Sequence, residues 1–268
     1  MKLTIEHLER AVGAAEDAVA KLERHFERPR FLQLHGSPCF RHTKYNALLM
    51  SHLKCVRSVS SLNACLVLLR NGYVQEIGIL CRCVDDNNQD VTFLGTPLGE
   101  NRKISEHQER MLKEFFQEEF DDADPLLSTQ KRDRVPRQKV HAGISRLPGQ
   151  PINPHEAGRV HHSLHAAFSG YVHGAYVHIM EIYGGDDMNS LSYHMHGLLG
   201  TPRIPEWTDA LSSYVYRTLI AIEIVAKRCT DVTVQQEIEK SRLEFESVTG
   251  IGERARAIQA TAVQTKRT

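Results

Sequence analysis

Histidine is the side chain in this sequence best suited to chemistry, because it changes charge near neutral pH and can move a proton or ligate a metal. There are 15 histidines, and eight of them (His155, His161, His162, His165, His173, His178, His194, His196) fall between residues 155 and 196. The stretch from 155 to about 183 reads as a helix despite Gly170 and Gly174, and Gly184-Gly185 stops it. At about 100° per residue, Arg159, His162, His165, Ser169, His173 and Tyr176 then share a face, while His161 and His178 point elsewhere. Three chemistries suit that face. The imidazoles can be packing groups that hydrogen-bond carbonyls or carboxylates of neighbouring helices. Arg159 can grip a phosphate while His165 moves a proton, which is phosphodiester cleavage without a metal. His161, His162 and His165, three and four residues apart, can also present ligands to one metal ion.

A second constellation lies in Arg82-Cys83-Val84-Asp85-Asp86. Spacings of three and four residues make a helical ion pair the default for Arg82 with Asp85 or Asp86. The alternative buries the pair beside the His165/His173 face, where a carboxylate can orient an imidazole and raise its pKa. Cys81 and Cys83 fall on different faces of that helix and suit a core. The six cysteines (Cys39, Cys55, Cys65, Cys81, Cys83, Cys229) have no CxxC spacing and read as free thiols.

The elements that must position these residues are helices. Ile5, Leu8, Ala11, Val12, Ala15, Val19, Leu22 and Phe26 keep three- and four-residue steps over 4–28, and Pro29 ends them. A short connection with Gly36 and Pro38 leads to residues 44–70, where Leu48, His52, Val56, Val59, Asn63, Leu66 and Leu69 keep helical spacing. Arg70-Asn71-Gly72 reads as a helix end, and a third helix over about 73–94 follows at once, so 44–94 is expected to be an antiparallel hairpin. A fourth helix is expected near 104–121. The six carboxylates of 113–124 and the basic run Lys131, Arg132, Arg134, Arg137, Lys139 read as a solvated, self-neutralising loop rather than a phosphate site, inside a long irregular connection over 123–154. Residues 184–205 form a second connection. Helices over about 206–229 and 231–248 and a basic tail, 250–268, complete the chain. No repeat and no sustained two-residue alternation appears. The fold class is all-α, a single domain over 1–268 with six or seven bundled helices.

Composition narrows the function classes. The 268 residues hold 33 Lys+Arg against 33 Asp+Glu with 41% hydrophobic content, which excludes an overall disordered chain and a globally basic nucleic-acid binder. No apolar run approaches a membrane span, and the charged, amphipathic start suits a cytoplasmic protein.

The run Leu66-Val67-Leu68-Leu69-Arg70-Asn71-Gly72-Tyr73, continuing to Ile79-Leu80-Cys81-Arg82-Cys83-Val84-Asp85-Asp86, resembles bacterial all-helical families of unknown function. In these a glycine-aromatic turn precedes a helix bearing Arg-x-x-x-Glu, with Asp86 in the acidic place here. Ser169-Gly170-Tyr171-Val172-His173-Gly174 is similar to their histidine-glycine segment. Those families are in turn reminiscent of the HEPN group, helical bundles that include metal-independent ribonucleases of toxin and antiviral systems. Their motif places His four to six residues after Arg, the spacing of Arg159 and His165. The resemblance implies a prokaryotic, HEPN-like protein whose site combines Arg82, Asp86, Arg159, His165 and His173. It implies RNA as substrate, no cofactor, and a homodimer that pairs motif helices across a two-fold axis. The rival expectations are a non-catalytic interaction or regulatory protein of such a system, and a metal-binding protein using His161, His162 and His165.

Overall fold

The structure, a computed structural model, describes residues 3–98, 104–147, 168–185 and 188–252. Helix α1 (Ile5–Leu22) buries Leu8, Val12, Ala15, Val19 and Leu22 on one stripe, as their spacing requires. Helix α2 (Ala47–Arg70) starts at Asn46, whose Oδ1 accepts from the Leu49 N–H at 2.8 Å. It turns directly into α3 (Val74–Leu98), so the expected helical hairpin is present.

Gly72 makes that turn. Its φ is +80°, a left-handed conformation that suits only glycine well, and a Cβ there would come within 2.6 Å of the Leu198 nitrogen. The approach is close because the Leu198 N–H donates to the Gly72 carbonyl at 2.9 Å. The hairpin turn therefore also anchors a segment 126 residues later.

Helices α8 (Arg203–Arg228) and α9 (Val232–Thr249) close the bundle against α1, α2 and α3. Leu62, Leu69, Ile77, Val84, Leu211, Leu219 and Ile222 are fully enclosed in this core. Asp231 caps α9 by accepting from the Val234 N–H at 3.2 Å, and it also accepts from Arg24 at 2.6 Å and His25 at 2.7 Å at the end of α1. The His25 bond, with the others, holds the Asp231 carboxyl below the usual range. A smaller apolar cluster of Met50, Phe93, Leu94, Met111, Val140 and Ile144 joins α4 (Glu106–Phe115) and α5 (Arg137–Ser145) to the far ends of the hairpin.

The all-α class holds, with four local departures from the sequence reading. Residues 29–43 form a two-stranded hairpin, β1 (Arg30–Leu34) with β2 (Ser37–Arg41), whose mostly exposed side chains leave no alternating pattern to read. The fourth helix ends at Phe115 rather than 121, since Glu118, Glu119, Asp121 and Asp122 would crowd negative charge at a helix C-terminus. The 123–154 connection contains α5. The expected 155–183 helix is broken in its described part: α6 covers 168–172, Gly174 turns at φ +59°, and the chain restarts as α7 (Tyr176–Ile179). Tyr176 therefore leaves the helical face assigned to it. A small second hairpin, β3 (Tyr183–Gly184) with β4 (Ser192–Tyr193), follows. Among the described residues no helix is long and apolar enough to cross a membrane.

Two glycines give opposite expected signs. Gly13 lies inside α1 with nothing within 4 Å of an added Cβ, so Gly13→Ala should raise stability by about 0.5–1 kcal/mol in urea melts. Gly72→Ala should lower it by more than about 1 kcal/mol, because both φ and the Leu198 backbone oppose a side chain. Equal midpoints for Gly72→Ala and wild type would show that the turn tolerates a side chain.

Candidate functional site: a buried polar cluster on helix α3

Helix α3 carries six consecutive polar residues, Asp85-Asp86-Asn87-Asn88-Gln89-Asp90, and five of them are buried, with only Asp86 half-buried. A polar side chain removed from water is tolerated when it finds a partner. Each neighbouring helix supplies one. From α8, Arg217 donates to Asp85 across the core while its guanidinium lies 4.6 Å from the Tyr214 ring centroid. Asn88 accepts from Ser58 of α2 at 3.3 Å and donates to Thr218 of α8 at 2.9 Å. Gln89 donates to Asp85 at 2.8 Å and accepts from His141 of α5 at 2.9 Å, which makes that ring nitrogen the donor.

Arg137, at the first position of α5, reaches furthest into the cluster. Its guanidinium donates to Asp90 at 2.5 Å, to Gln89 at 2.8 Å and to the Asp86 carbonyl at 3.2 Å, with Nε 3.3 Å from the Asp86 carboxylate. Lys54 of α2 pairs with the second Asp90 oxygen at 3.0 Å and lies 5.3 Å from the Phe115 ring centroid. Arg82 donates to Asp86 at 3.1 Å, the four-residue helical pair expected from spacing. Asp85, the other carboxylate considered for Arg82, is claimed by Arg217 instead.

His173 stands apart. It lies in the exposed turn after α6, and among the described residues no hydrogen bond or ion pair joins it to Arg82 or Asp86. Arg159, His161, His162 and His165 lie outside the described residues. Two further histidines of the segment, His178 and His194, are held locally. His178 stacks on Tyr171 with ring centroids 3.9 Å apart and faces Glu181 at 3.3 Å, and Tyr171 donates to the same carboxylate at 2.9 Å. Burial and that carboxylate push the Tyr171 phenol well above its ordinary range. His194 donates to the Gly184 carbonyl at 3.0 Å. Among the described residues no group of His, Cys, Asp and Glu is arranged to hold a metal ion.

Comparison with protein families, curated proteins and solved structures returns no match. Function must therefore be argued from geometry.

The acidic and basic blocks of 113–139 largely neutralise each other, as their adjacency suggests. Arg132 pairs with Glu114 at 3.1 Å and Glu119 at 2.6 Å, and hydrogen bonds from Ser128 and Thr129 hold the Asp121 carboxyl down to about 2. Two residues are exceptions: Arg137 leaves the block for Asp90 of α3, and Glu118 pairs with Arg41 of β2 at 2.5 Å. Sequence reasoning missed Arg137, Arg217, Lys54 and His141. The available signal was the polar run itself, which is too long to fit the solvated face of an amphipathic helix.

The cluster makes a sharp prediction. Arg217→Met leaves the Asp85 carboxylate buried without its cation and should cost about 3–5 kcal/mol in urea unfolding. The double variant Asp85→Leu with Arg217→Met should recover most of that loss. Additive costs would show that the two residues do not act as a pair.

Proposed function

We propose that this chain is a non-catalytic helical interaction protein whose partner is a second copy of itself, joined through the surface formed by residues 172–185 and 188–199. The observation behind this reading is a concentration of exposed apolar side chains. Tyr176 is 76% exposed, Met188 83% and Met195 72%, and Val177, Tyr193 and Leu199 are also exposed. The surface is held in place from below. Gln75 of α3 donates to the His178 carbonyl, the His194 N–H donates to the Ile182 carbonyl at 2.8 Å, and Leu198 is bonded to Gly72. An ordered patch rich in aromatic and methionine side chains has the composition of a protein contact rather than of a solvated loop. Balanced formal charge, 33 cationic against 33 acidic residues, lets two copies meet without net repulsion. Light scattering at micromolar concentration should give a mass near twice 30.4 kDa. Tyr176→Glu with Met195→Glu should return it to the monomer value with an unchanged circular dichroism spectrum. A monomeric wild type overturns the reading.

One observation favours a second reading, a HEPN-like ribonuclease. Tyr171 of the histidine segment lies directly over Gly78, where an added Cβ would meet its ring at 2.6 Å, and Arg82 is one helical turn further along α3. This supports the histidine segment and the Arg82–Asp86 pair serving one site, with Arg159 as phosphate grip and His165 as proton carrier. On that reading Arg159→Ala and His165→Ala each lower RNA cleavage by about 100-fold, and cleavage survives a chelator. An RNA pool left intact by the wild type, with and without divalent metal, overturns it.

A further inference from the structure

Residues 28–44 hold four cations, Arg28, Arg30, Arg41 and Lys44, together with His35 and His42 and no carboxylate. Most of this stretch is the β1–β2 ribbon, which pairs with no other strand among the described residues and turns at His35 and Gly36 with φ of +49° and +80°. A two-stranded ribbon has little stability of its own. It is tied to the rest of the chain through Arg41, which donates to Glu118 at 2.5 and 2.8 Å.

Alternation along the strands decides which side faces water. Arg41 shares its face with Leu34 and Cys39, and these three are the half-buried members of the ribbon. The opposite face carries Phe31 and Phe40 directly across from each other, with Gln33 and Pro38 on the same side. Phe31 is 58% exposed and Phe40 63%, and their ring centroids are 5.4 Å apart. Phe40 also lines a groove of about 490 Å³ together with Tyr45. Tyr45, 56% exposed, is held flat against Phe116 with centroids 4.5 Å apart and 19° between the planes. Three ordered aromatic rings are thus open to solvent beside one another in the chain's most basic stretch.

The charge around these rings is not cancelled. Arg41 is matched by Glu118, and in the groove Glu119 is matched by Arg132 at 2.6 Å. Arg30 and Lys44, both exposed, share the single carboxylate of Glu27 at 3.7 and 3.4 Å, and exposed Arg28 has no ion-pair partner among the described residues. A positive surplus around apolar rings selects the partner. A second copy would set the same cations against each other, which disfavours self-association here. Insertion into a lipid surface would lead with the tip, and the tip is His35-Gly36 rather than the rings. Aromatic faces for bases and cations for phosphates are together the two parts of a single-strand platform. A duplex keeps its base faces stacked inside and offers the rings nothing.

We infer that the Phe31/Phe40 face and the adjoining Tyr45 groove bind single-stranded nucleic acid, the rings stacking on unpaired bases while Arg28, Arg30 and Lys44 meet the phosphates. The surface shares no residue with the 172–185 and 188–199 surface or with the α3 cluster, and it is read as binding without cleavage, so it stands or falls apart from either function argued above.

Fluorescence anisotropy on the full chain, with one sequence of about 20 nucleotides presented as an RNA strand, a DNA strand and a DNA duplex, tests each part. Either single strand should bind at least about tenfold more tightly than the duplex, and the ratio between the two strands names the sugar taken. Phe31→Thr and Phe40→Thr, at exposed strand positions that threonine suits, should each weaken single-strand binding about tenfold, the size of one lost base stack, and leave duplex binding unchanged. Contacts from three cations to a single strand imply a loss of about 20-fold between 50 and 200 mM salt, which Arg28→Gln with Lys44→Gln should reduce to about threefold. Phosphatidylserine vesicles and polyglutamate serve as rival polyanions. Equal affinity for strand and duplex, full binding by both threonine variants, tighter binding of either rival, or no saturable binding of any oligonucleotide at low salt overturns the proposal. The strand-against-duplex comparison on the wild type decides it even where a variant fails to fold.

Discussion

The constraint on which the rest of the bundle depends is that α3 buries its polar run from Asp85 to Asp90, so every surrounding helix must answer it. Apolar packing alone tolerates small shifts of one helix past another, because one buried leucine resembles the next. Hydrogen-bonded pairs do not. A slide of α8 by one turn would keep apolar contact with α3 while parting Arg217 from Asp85 and Thr218 from Asn88. Each separation would strand a buried polar group at a cost of about 1–3 kcal/mol, more where it is charged. The same reasoning sets α2, through Lys54 and Ser58, and α5, through Arg137 and His141.

Helix α5 shows how the two kinds of contact cooperate. Val140 and Ile144 enter the small apolar cluster with Phe93 and Met111, while Arg137 and His141, one residue out of phase at each step, enter the polar cluster. A helix of nine residues has little intrinsic stability. Its position is fixed by α3, whose polar run and apolar end it matches with alternate faces. Removing Arg137 from the basic block does not unbalance that block, since Arg132 alone spans Glu114 and Glu119.

What was legible in the sequence follows from this division. Helix α1 and the α2–α3 hairpin were readable because their apolar spacing reports burial directly, and Gly72 marked the turn. The Arg82–Asp86 pair was readable because both partners lie on one helix at four-residue spacing. Arg217 was not, because its partner Asp85 is 132 residues away and spacing carries no information across that distance. The continuation of the polar run, Asn87–Asp90, escapes a reading by spacing because polar residues are ordinarily read as solvated. Helix α2 hid a second buried side, where Ser51, Ser58 and Ser61 are as enclosed as its leucines and let α3 approach closely. In the histidine segment, 100° steps failed beyond Val172 because Gly174 takes a left-handed conformation that periodicity cannot register.

The two helices of the hairpin carry different features on their outer sides. The outer side of α2 meets α1 and a cavity beside His52, whereas α3 meets Tyr171, His178 and Leu198 through Gly78, Gln75 and Gly72. Energetic coupling between two sites requires an element with two arrangements that both ligands bias differently. The α2–α3 hairpin is held in one arrangement by the polar cluster, whose pairs tie α3 to α2, α5 and α8. Whatever docks on the segment that follows Tyr171 therefore meets a support whose register the polar cluster has already set.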